Sequence, residues 1–184
     1  MSPRRKRPAM PGVHNTTDTE SMIRVDHAGE YGAVRIYEGQ LAVFGNRKSE
    51  TADAIRKMAQ QEQEHLAAFD KLVNERRVRP TALEPVWRVA GFALGAATAL
   101  MGEKAAMACT AAVEDVIDEH YAQQIARLEG DKPLQQAVEK FRADEVAHKN
   151  EALELGAEEA PAYKLLSETI KAGCRLAIKL SERL

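Results

Sequence analysis

Apolar side chains recur at heptad spacing along most of this chain, in four separate stretches. Steps of three and four residues place such side chains on one face of an α-helix. The pattern therefore predicts four amphipathic helices whose apolar stripes face a common core. Their approximate bounds are 18–44, 49–76, a third helix that starts within or after 86–108 and ends near 130, and 131–156.

Each of the four apolar stripes is interrupted at its middle by a glutamate. In the second and fourth stripes a histidine follows three residues later, which gives the pattern Glu-x-x-His twice. An isolated ionised carboxylate in a core costs roughly several kcal/mol unless a positive charge compensates it. Two such patterns at equivalent stripe positions favour metal ligands over a solvated helix face. The six candidate ligands are Glu30, Glu62, His65, Glu114, Glu145 and His148.

The spacing of these ligands reveals an internal repeat. Glu30 and Glu62 are 32 residues apart, and Glu114 and Glu145 are 31 apart, from the residue numbers. Each half is therefore a helix with one Glu followed by a helix with Glu-x-x-His, the ligand set of ferritin-like di-iron and di-manganese bundles. Four carboxylates balance two divalent ions, and their oxygens suit Fe or Mn. The repeat predicts a two-metal site at the centre of a four-helix bundle.

Two further segments lie outside this repeat. Residues 86–108 are apolar on all sides, which is consistent with either a buried helix or a segment in the membrane interface. A last helix is predicted from Pro161 nearly to Leu184, and it carries a basic side for which a solvated face and a contact with anionic lipid are both open. That side comprises Lys171, Arg175, Lys179 and Arg183.

Composition narrows the class of protein. Hydrophobic residues make up 45% of the 184 residues and charged residues 29%, which is typical of a globular chain. The net charge of −2 gives no reason to expect nucleic-acid binding. No apolar run reaches about 18 residues, so no membrane-spanning helix is predicted. We expect a flexible basic tail over residues 1–20 and a single domain over 21–184.

Several short segments identify a family resemblance. From about Met22 to the last residue, the chain closely resembles the demethoxyubiquinone hydroxylase family of ubiquinone biosynthesis. The resemblance implies an all-α, ferritin-like four-helix bundle with an apolar helical insert between the second and third helices and an extra C-terminal helix. It also implies that the six candidate ligands bind two Fe ions, with Glu62 and either Glu114 or Glu145 as bridges. The matching segments are 23–33, 78–81, 91–95, 106–110 and 180–184.

The resemblance also implies an activity. A di-iron monooxygenase of this kind would use dioxygen and electrons from NADH to hydroxylate the ring of a 2-polyprenyl-3-methyl-6-methoxy-1,4-benzoquinol. The chain has no glycine-rich fingerprint after a strand, so its NADH site would not be of the Rossmann kind.

The polyprenyl tail of that substrate stays in the bilayer, so the resemblance favours a peripheral membrane protein that reaches its substrate through residues 86–108. It would lie on the cytoplasmic face of a bacterial inner membrane or the matrix face of a mitochondrial one. A lipid-presenting partner and a homo-oligomer are compatible with this interpretation.

Other polar residues near the predicted ligands have two alternative roles each. His120 and Tyr121 follow Glu114, and Tyr37 follows Glu30 by two turns. They either handle the quinol ring and its proton as catalytic residues, or donate hydrogen bonds to a ligand carboxylate or to the core. We expect Asp26 and Asp118 to be the hydrogen-bond partners of the two ligand histidines. His27 is expected to be a hydrogen-bonded core histidine.

Two rival functions remain for such a site. A ferritin-like ferroxidase or iron store would be a soluble, cage-forming chain without the apolar segment. A non-catalytic membrane scaffold with structural metals would instead unfold or mislocalise when Glu62 is replaced by Ala.

Overall fold

The computed structural model describes residues 16–128 and 130–184, and within this part of the chain it contains helices and turns but no strand. This confirms the prediction of an all-α fold. A 3-10 turn at Ala157–Glu159 separates the last two helices. The helices are α1 (Thr16–Phe44), α2 (Glu50–Arg76), α3 (Glu84–Leu100), α4 (Glu103–Ile125), α5 (Lys132–Glu154) and α6 (Tyr163–Ser181).

Local capping residues in the sequence determine where helices α2 and α5 of the core begin or end. The Ser49 hydroxyl accepts a hydrogen bond from the backbone N–H of Ala52, at 3.2 Å, and so caps the start of α2. Asp131 caps α5 in the same way. After α5, Gly156 adopts a φ of 87°, a left-handed conformation that glycine tolerates without steric cost. These signals explain why the predicted bounds agree within a few residues.

The core consists of two helix pairs. Helix α1 packs along α2, and α4 packs along α5. Two apolar clusters fill the ends of the bundle, one around Met58 and Met107 and the other around Phe69 and Phe141. The buried carboxylates lie in the middle, where the two pairs face each other.

The two remaining helices cover one side of the bundle. Helix α3 lies directly against the backbone of α1, because glycines occupy both sides of the contact. A Cβ atom at Gly95 would lie 1.9 Å from the carbonyl oxygen of Ile36, and one at Gly39 would lie 2.2 Å from that of Phe92. Helix α6 packs mainly on α4. A space is left between α1, α3, α4 and α6.

The apolar segment 86–108 is divided between two helices. This agrees with a third core helix that starts within the segment, but corrects the interpretation of the whole segment as one membrane-facing element. The chain turns at Gly102, where φ is 116°, and divides the segment between α3 and α4. Residues 105–108 are fully buried in the core, so they cannot contact a membrane. The exposed apolar surface is confined to α3 and the residue after it. Its large side chains are Val86, Val89, Leu100 and Met101.

The basic side of α6 is largely exposed, which agrees with the solvated alternative, but part of it also has partners on α4. The Lys171 ammonium lies 2.7 Å from Asp115, and the Arg175 guanidinium lies 3.1 Å from Glu119. Two of the four basic side chains therefore pair with α4 instead of facing only solvent or lipid.

The described part of the chain has no helix that is both long and apolar enough to cross a membrane.

Helix α1 begins at Thr16, so the last five residues of the predicted tail are helical. Residues 1–15 of that tail lie outside the described residues.

Candidate metal centre

The six predicted ligands come together at the centre of the bundle. Helix α1 supplies Glu30, α2 supplies Glu62 and His65, α4 supplies Glu114, and α5 supplies the last Glu-x-x-His pair. Each of the six residues is at most 2% exposed. The heptad position of each residue explains this burial, because the same helix face that carries the core apolar side chains carries the ligand.

The ligand atoms form two overlapping groups. One group contains Glu30, Glu62, His65 and Glu145, and the other contains Glu62, Glu114, Glu145 and His148. Within each group the candidate ligand atoms all lie within 4.8 Å of one another. Glu62 and Glu145 belong to both groups. The geometry therefore suits two ions side by side, and of the two alternatives for the second bridge it favours Glu145 over Glu114.

Each histidine points its Nδ1 atom into this cluster. The Nδ1 of His65 lies 3.1 Å from a Glu145 oxygen, and the Nδ1 of His148 lies 3.1 Å from a Glu62 oxygen. The Nε2 atoms point outward, His65 to Asp144 at 3.2 Å and His148 to Gln61 at 3.2 Å. An Nε2–H that donates to these oxygens leaves Nδ1 free to bind a metal.

These contacts correct the expected partners of the histidines. Asp26 and Asp118 do not contact either ligand histidine. Asp26 accepts hydrogen bonds from Gln124 and pairs with His120, and Asp118 accepts one from the Arg142 guanidinium. The expectation failed because a contact between helices depends on their relative rotation, which spacing along one helix does not determine.

Two buried tyrosines hold the glutamates of the opposite half. The Tyr37 hydroxyl donates to a Glu114 oxygen at 2.8 Å, and the Tyr121 hydroxyl donates to Glu30. Burial first, and then the neighbouring carboxylates, raise the pKa of both tyrosines well above its usual value, so both hydroxyls keep their protons. Each glutamate thus has one oxygen fixed by a tyrosine and the other directed at the cluster.

The four buried carboxylates of the cluster repel one another, so their ionised forms need a nearby positive charge. Burial raises the pKa of Glu62 and Glu114 well above the usual value, and repulsion from Glu145 adds to the effect in both. For Glu145 itself, burial also opposes ionisation, but the nearby His148 and His65 imidazoles outweigh it and lower its pKa to about 2. Contacts with Glu145 and Glu30 raise the pKa of His65 to about 11 despite its burial.

Unpaired polar atoms show that the residues fit a pair of metal ions. Buried atoms without a partner are rare in proteins, because each costs about 1–3 kcal/mol. Eight of the unpaired buried atoms in the described part of the chain belong to the six candidate ligands, and their chemistry is the oxygen and imidazole set that suits iron or manganese. They are Glu30 Oε2, Glu62 Oε1 and Oε2, His65 Nδ1, Glu114 Oε2, Glu145 Oε1 and Oε2, and His148 Nδ1.

Comparison with known proteins identifies the family. A family model described as "Ubiquinone biosynthesis protein COQ7" matches residues 17–181. The chain belongs to the COQ7 family. This confirms the resemblance to the demethoxyubiquinone hydroxylase family, which is an enzyme family of ubiquinone biosynthesis.

Relatives in the COQ7 family carry the corresponding enzyme names. A 3-demethoxyubiquinol 3-hydroxylase of Rhodospirillum rubrum is 56% identical over 165 residues, which cover 89% of this chain and 77% of the relative. Two mitochondrial NADPH-dependent 3-demethoxyubiquinone 3-hydroxylases are similar. The protein from Dictyostelium discoideum is 54% identical, over 89% of this chain and 76% of the relative, and the human protein is 52% identical, over 90% and 77%. The names of the two mitochondrial relatives give NADPH as the reductant, whereas the sequence interpretation named NADH.

An apolar cavity of about 470 Å³ lies against the two helices of this COQ7-family chain that carry Glu30 and Glu114. It occupies the space between α1, α3, α4 and α6. Its wall includes Gly29 and Val113, the chain neighbours of the ligands Glu30 and Glu114. Gly29 and Gly32 have no atom within 4 Å of the position of a Cβ, so the absence of their side chains widens the cavity.

The other predicted site residues take different positions. Tyr121 touches a candidate ligand, whereas the side chain of His120 is 21% exposed and turns towards Asp26. His27 is buried and lies 2.9 Å from Asp70, which agrees with the expected hydrogen-bonded histidine.

Sequence reasoning missed Asp144 and Gln61, the outer partners of the histidines. A signal was present in the repeat, because each of them directly precedes the glutamate of a Glu-x-x-His pair.

Proposed function

We propose that this protein is a di-iron monooxygenase that hydroxylates the ring of a demethoxyubiquinol. The observation that carries the proposal is the pair of overlapping ligand groups, which share Glu62 and Glu145, beside an apolar cavity. The names of the COQ7-family relatives support the same reaction. A plain iron store would need the metal cluster but not a cavity that suits a long apolar tail.

The residues of the chain have distinct roles in this proposal. Glu62 and Glu145 would bridge the two ions. Glu30 and His65 would complete one position, and Glu114 and His148 the other. Tyr37 and Tyr121 hold the outer oxygens of Glu114 and Glu30, and Asp144 and Gln61 hold the imidazole rings, so the ligands are fixed before an ion binds.

Iron at these positions would supply the redox chemistry that activates dioxygen. The overall reaction balances with a reduced nicotinamide nucleotide: ring C–H, O₂, one hydride and one solvent proton give ring C–OH and water. The protein provides a dry environment for it, since the six ligands are buried and the adjoining cavity is almost wholly apolar.

The reductant is a separate part of the proposal. The described residues form no strand, so a Rossmann-type nucleotide site is not among them. We expect either NADH or NADPH to serve, and parallel assays with the two nucleotides at equal concentration will show which one this chain prefers.

The cavity provides a route for the substrate. Its lining residues Trp87 and Leu94 belong to α3, and Leu176 and Ala177 belong to α6, so a polyprenyl tail could leave the centre between these two helices. The Trp87 indole N–H donates to the Ser181 hydroxyl at 3.1 Å and joins the helices on this side.

The exposed face of α3 would then rest on the membrane. Leu100 is 76% exposed and Val89 is 69% exposed, an unusual position for large apolar side chains in water. Leu94, by contrast, lines the cavity. We expect Leu100→Glu to release the protein from liposomes at unchanged iron content, whereas Leu94→Glu should impair turnover of a long-tailed quinol. Unchanged liposome binding by Leu100→Glu would contradict the membrane contact.

Mass spectrometry of the product tests the proposed function. Iron-loaded protein is incubated with a short-chain demethoxyubiquinol, reduced nicotinamide nucleotide and dioxygen. The proposal predicts a gain of one oxygen atom, lost in Glu62→Ala although that variant stays folded by circular dichroism. Oxidation of iron without oxygenation of the quinol would support a ferroxidase, and unfolding of Glu62→Ala would support a scaffold with structural metals.

A further inference from the structure

One buried carboxylate remains outside the metal cluster. Among the described residues, Asp26 is the only buried acidic residue apart from the four glutamate ligands, and its side chain has no exposed surface. No lysine or arginine pairs with it. Its partners are the His120 Nε2 at 3.0 Å and the amide nitrogen of Gln124 at 2.6 Å. A carboxyl group in such a place is costly, so a role for it is expected.

Asp26 lies behind the wall of a second cavity. This cavity has a volume of about 380 Å³ and, unlike the first, is lined mainly by polar atoms. His120 and Gln124 belong to its wall and separate it from Asp26. The oxygen Oε1 of Gln124 is buried without a hydrogen-bond partner, and therefore offers a place for a water molecule.

The interior end of this arrangement approaches the metal centre. The rings of His120 and Tyr121 lie side by side, with their centroids 5.9 Å apart. Burial, Glu30 and then Asp26 raise the pKa of Tyr121 well above its usual value. The Tyr121 hydroxyl in turn donates to Glu30. Polar groups therefore follow one another from the polar cavity through His120, with Asp26 behind it, to Tyr121 beside one candidate ligand.

The polar and apolar cavities are separate but adjacent. Val25 belongs to the walls of both, and few polar atoms line the apolar cavity. A proton cannot cross an apolar wall without a group that binds it, whereas His and Asp both bind and release protons near neutral pH when their environment shifts them. If the reaction proposed above takes place, each turnover consumes one solvent proton.

We propose that Asp26 and His120 form the route by which solvent protons pass from the polar cavity to the interior of the bundle. Asp26 acts through its neighbours and does not touch the reacting atoms, so it is a positioning residue for proton transfer. This inference rests on the proposed monooxygenase function. The charged groups that face the route are Asp18 on α1, Arg127 on the turn after α4, and Glu182 and Arg183 after α6.

Burial also favours the protonated form of the Asp26 carboxyl group. Burial raises the pKa of Asp26 above its usual value, and the contacts with His120 and Gln124 only partly oppose the effect. The carboxyl group therefore exchanges its proton at a higher pH than an exposed aspartate would.

Steady-state kinetics of Asp26→Asn test the route. We expect kcat to fall at least about tenfold, with the largest loss at high pH where protons are scarce, and KM for the quinol and iron content to stay as in the wild type. Asp26→Glu should restore part of the rate, and His120→Gln should reproduce the loss if Asp26→Asn folds poorly. A kcat equal to that of the wild type at every pH would overturn the proposal.

Asp70→Asn provides a matched control. It also removes a His–Asp hydrogen bond of α1, that of His27 at 2.9 Å, but Asp70 is 58% exposed and lies outside the polar cavity. We expect it to retain wild-type kcat. A loss equal to that of Asp26→Asn would show that any disturbed His–Asp pair slows the enzyme, and would overturn the specific role.

Infrared spectroscopy provides a second test that needs no turnover. Zinc-loaded protein keeps the charge of the centre but has no redox chemistry. The difference spectrum between wild type and Asp26→Asn isolates the Asp26 carboxyl band. We expect this band to respond to pH and to exchange into deuterated water. A band insensitive to both would overturn the proposal, and this result is independent of whether the quinol is hydroxylated.

Discussion

The two halves of the bundle supply the same ligands but support them differently. In the first half His65 directs its outer nitrogen at a carboxylate, Asp144, whereas in the second half His148 directs its outer nitrogen at an amide, Gln61. A carboxylate behind an imidazole makes that imidazole a stronger ligand than an amide does. If each ligand group binds an ion, as proposed, the repeated sequence would give two positions of unequal charge, and the position beside His65 would be the more electron-rich.

Every supporting contact also crosses between the halves. Tyr37 of the first half holds Glu114 of the second, and Tyr121 of the second holds Glu30 of the first. The partners of the two histidines cross in the same way. The internal repeat thus does not mean two independent sites, because neither half can fix its own ligands.

Substitution of a shared ligand should have the largest effect on iron content and activity. Glu62 belongs to both ligand groups and Glu114 to only one. We therefore expect Glu62→Ala to lose both ions and all measurable hydroxylation, while Glu114→Ala retains about one iron per chain. Iron analysis of the purified variants measures this difference. Equal iron content in the two variants would contradict the shared role of Glu62.

Metal uptake should depend steeply on pH. The pKa of His65 is raised to about 11, and those of Glu62 and Glu114 are raised as well, so these groups hold protons that a metal must displace. Binding releases protons, and affinity therefore rises with pH. If more than one proton leaves, affinity changes more than about tenfold per pH unit. Calorimetry in buffers of different ionisation enthalpy counts the protons, and a count of zero would refute this account.

The outer partners of the two histidines, a carboxylate and an amide, can each be replaced by the other kind of group. We expect Asp144→Asn to weaken metal binding at the His65 position by about 10–100-fold, the range typical of lost outer partners. Gln61→Glu should strengthen the His148 position, since it places a carboxylate behind that ring. Competition with a chelator measures both changes. Unchanged metal affinity in Asp144→Asn, or weaker binding in Gln61→Glu, would contradict the unequal support of the two histidines.

Substitutions at the contact between α1 and the covering helix α3 should have the smallest effect, a change in the free energy of unfolding. Gly95→Ala forces a Cβ against the carbonyl oxygen of Ile36, and overpacking of this kind costs about 1–3 kcal/mol. Gly32→Ala meets no atom within 4 Å and removes a mid-helix glycine, so it should stabilise α1 by up to about 1 kcal/mol. Urea unfolding of the two variants should give opposite signs. Equal destabilisation would mean that the α1–α3 contact is looser than described.

The sequence predicted which six side chains meet at the centre of the bundle because their spacing is local. Glu62 and His65 are one turn apart in the same helix, and the repeat at Glu145 and His148 made the pattern specific. The outer partners could not be predicted with equal success, since Asp144 and Gln61 contact histidines of other helices. Their positions depend on how the helices rotate against one another, which no spacing along a single helix records.

The apolar segment shows a second limit. A run that is apolar on all sides carries no periodicity, so nothing in it marked Gly102 as the boundary between α3 and α4. The ion pairs of the basic side of α6 were not predicted for a related reason. Lys171 and Arg175 follow a helical period, but their acidic partners lie on α4 and are not adjacent in sequence.

The most direct test of the central claim is the Mössbauer spectrum of iron-loaded protein combined with its iron content. Two groups of ligands that share Glu62 and Glu145 predict two iron ions per chain that are magnetically coupled and differ in their surroundings. One iron per chain, or two ions without coupling, would contradict a centre built jointly by both halves of the bundle.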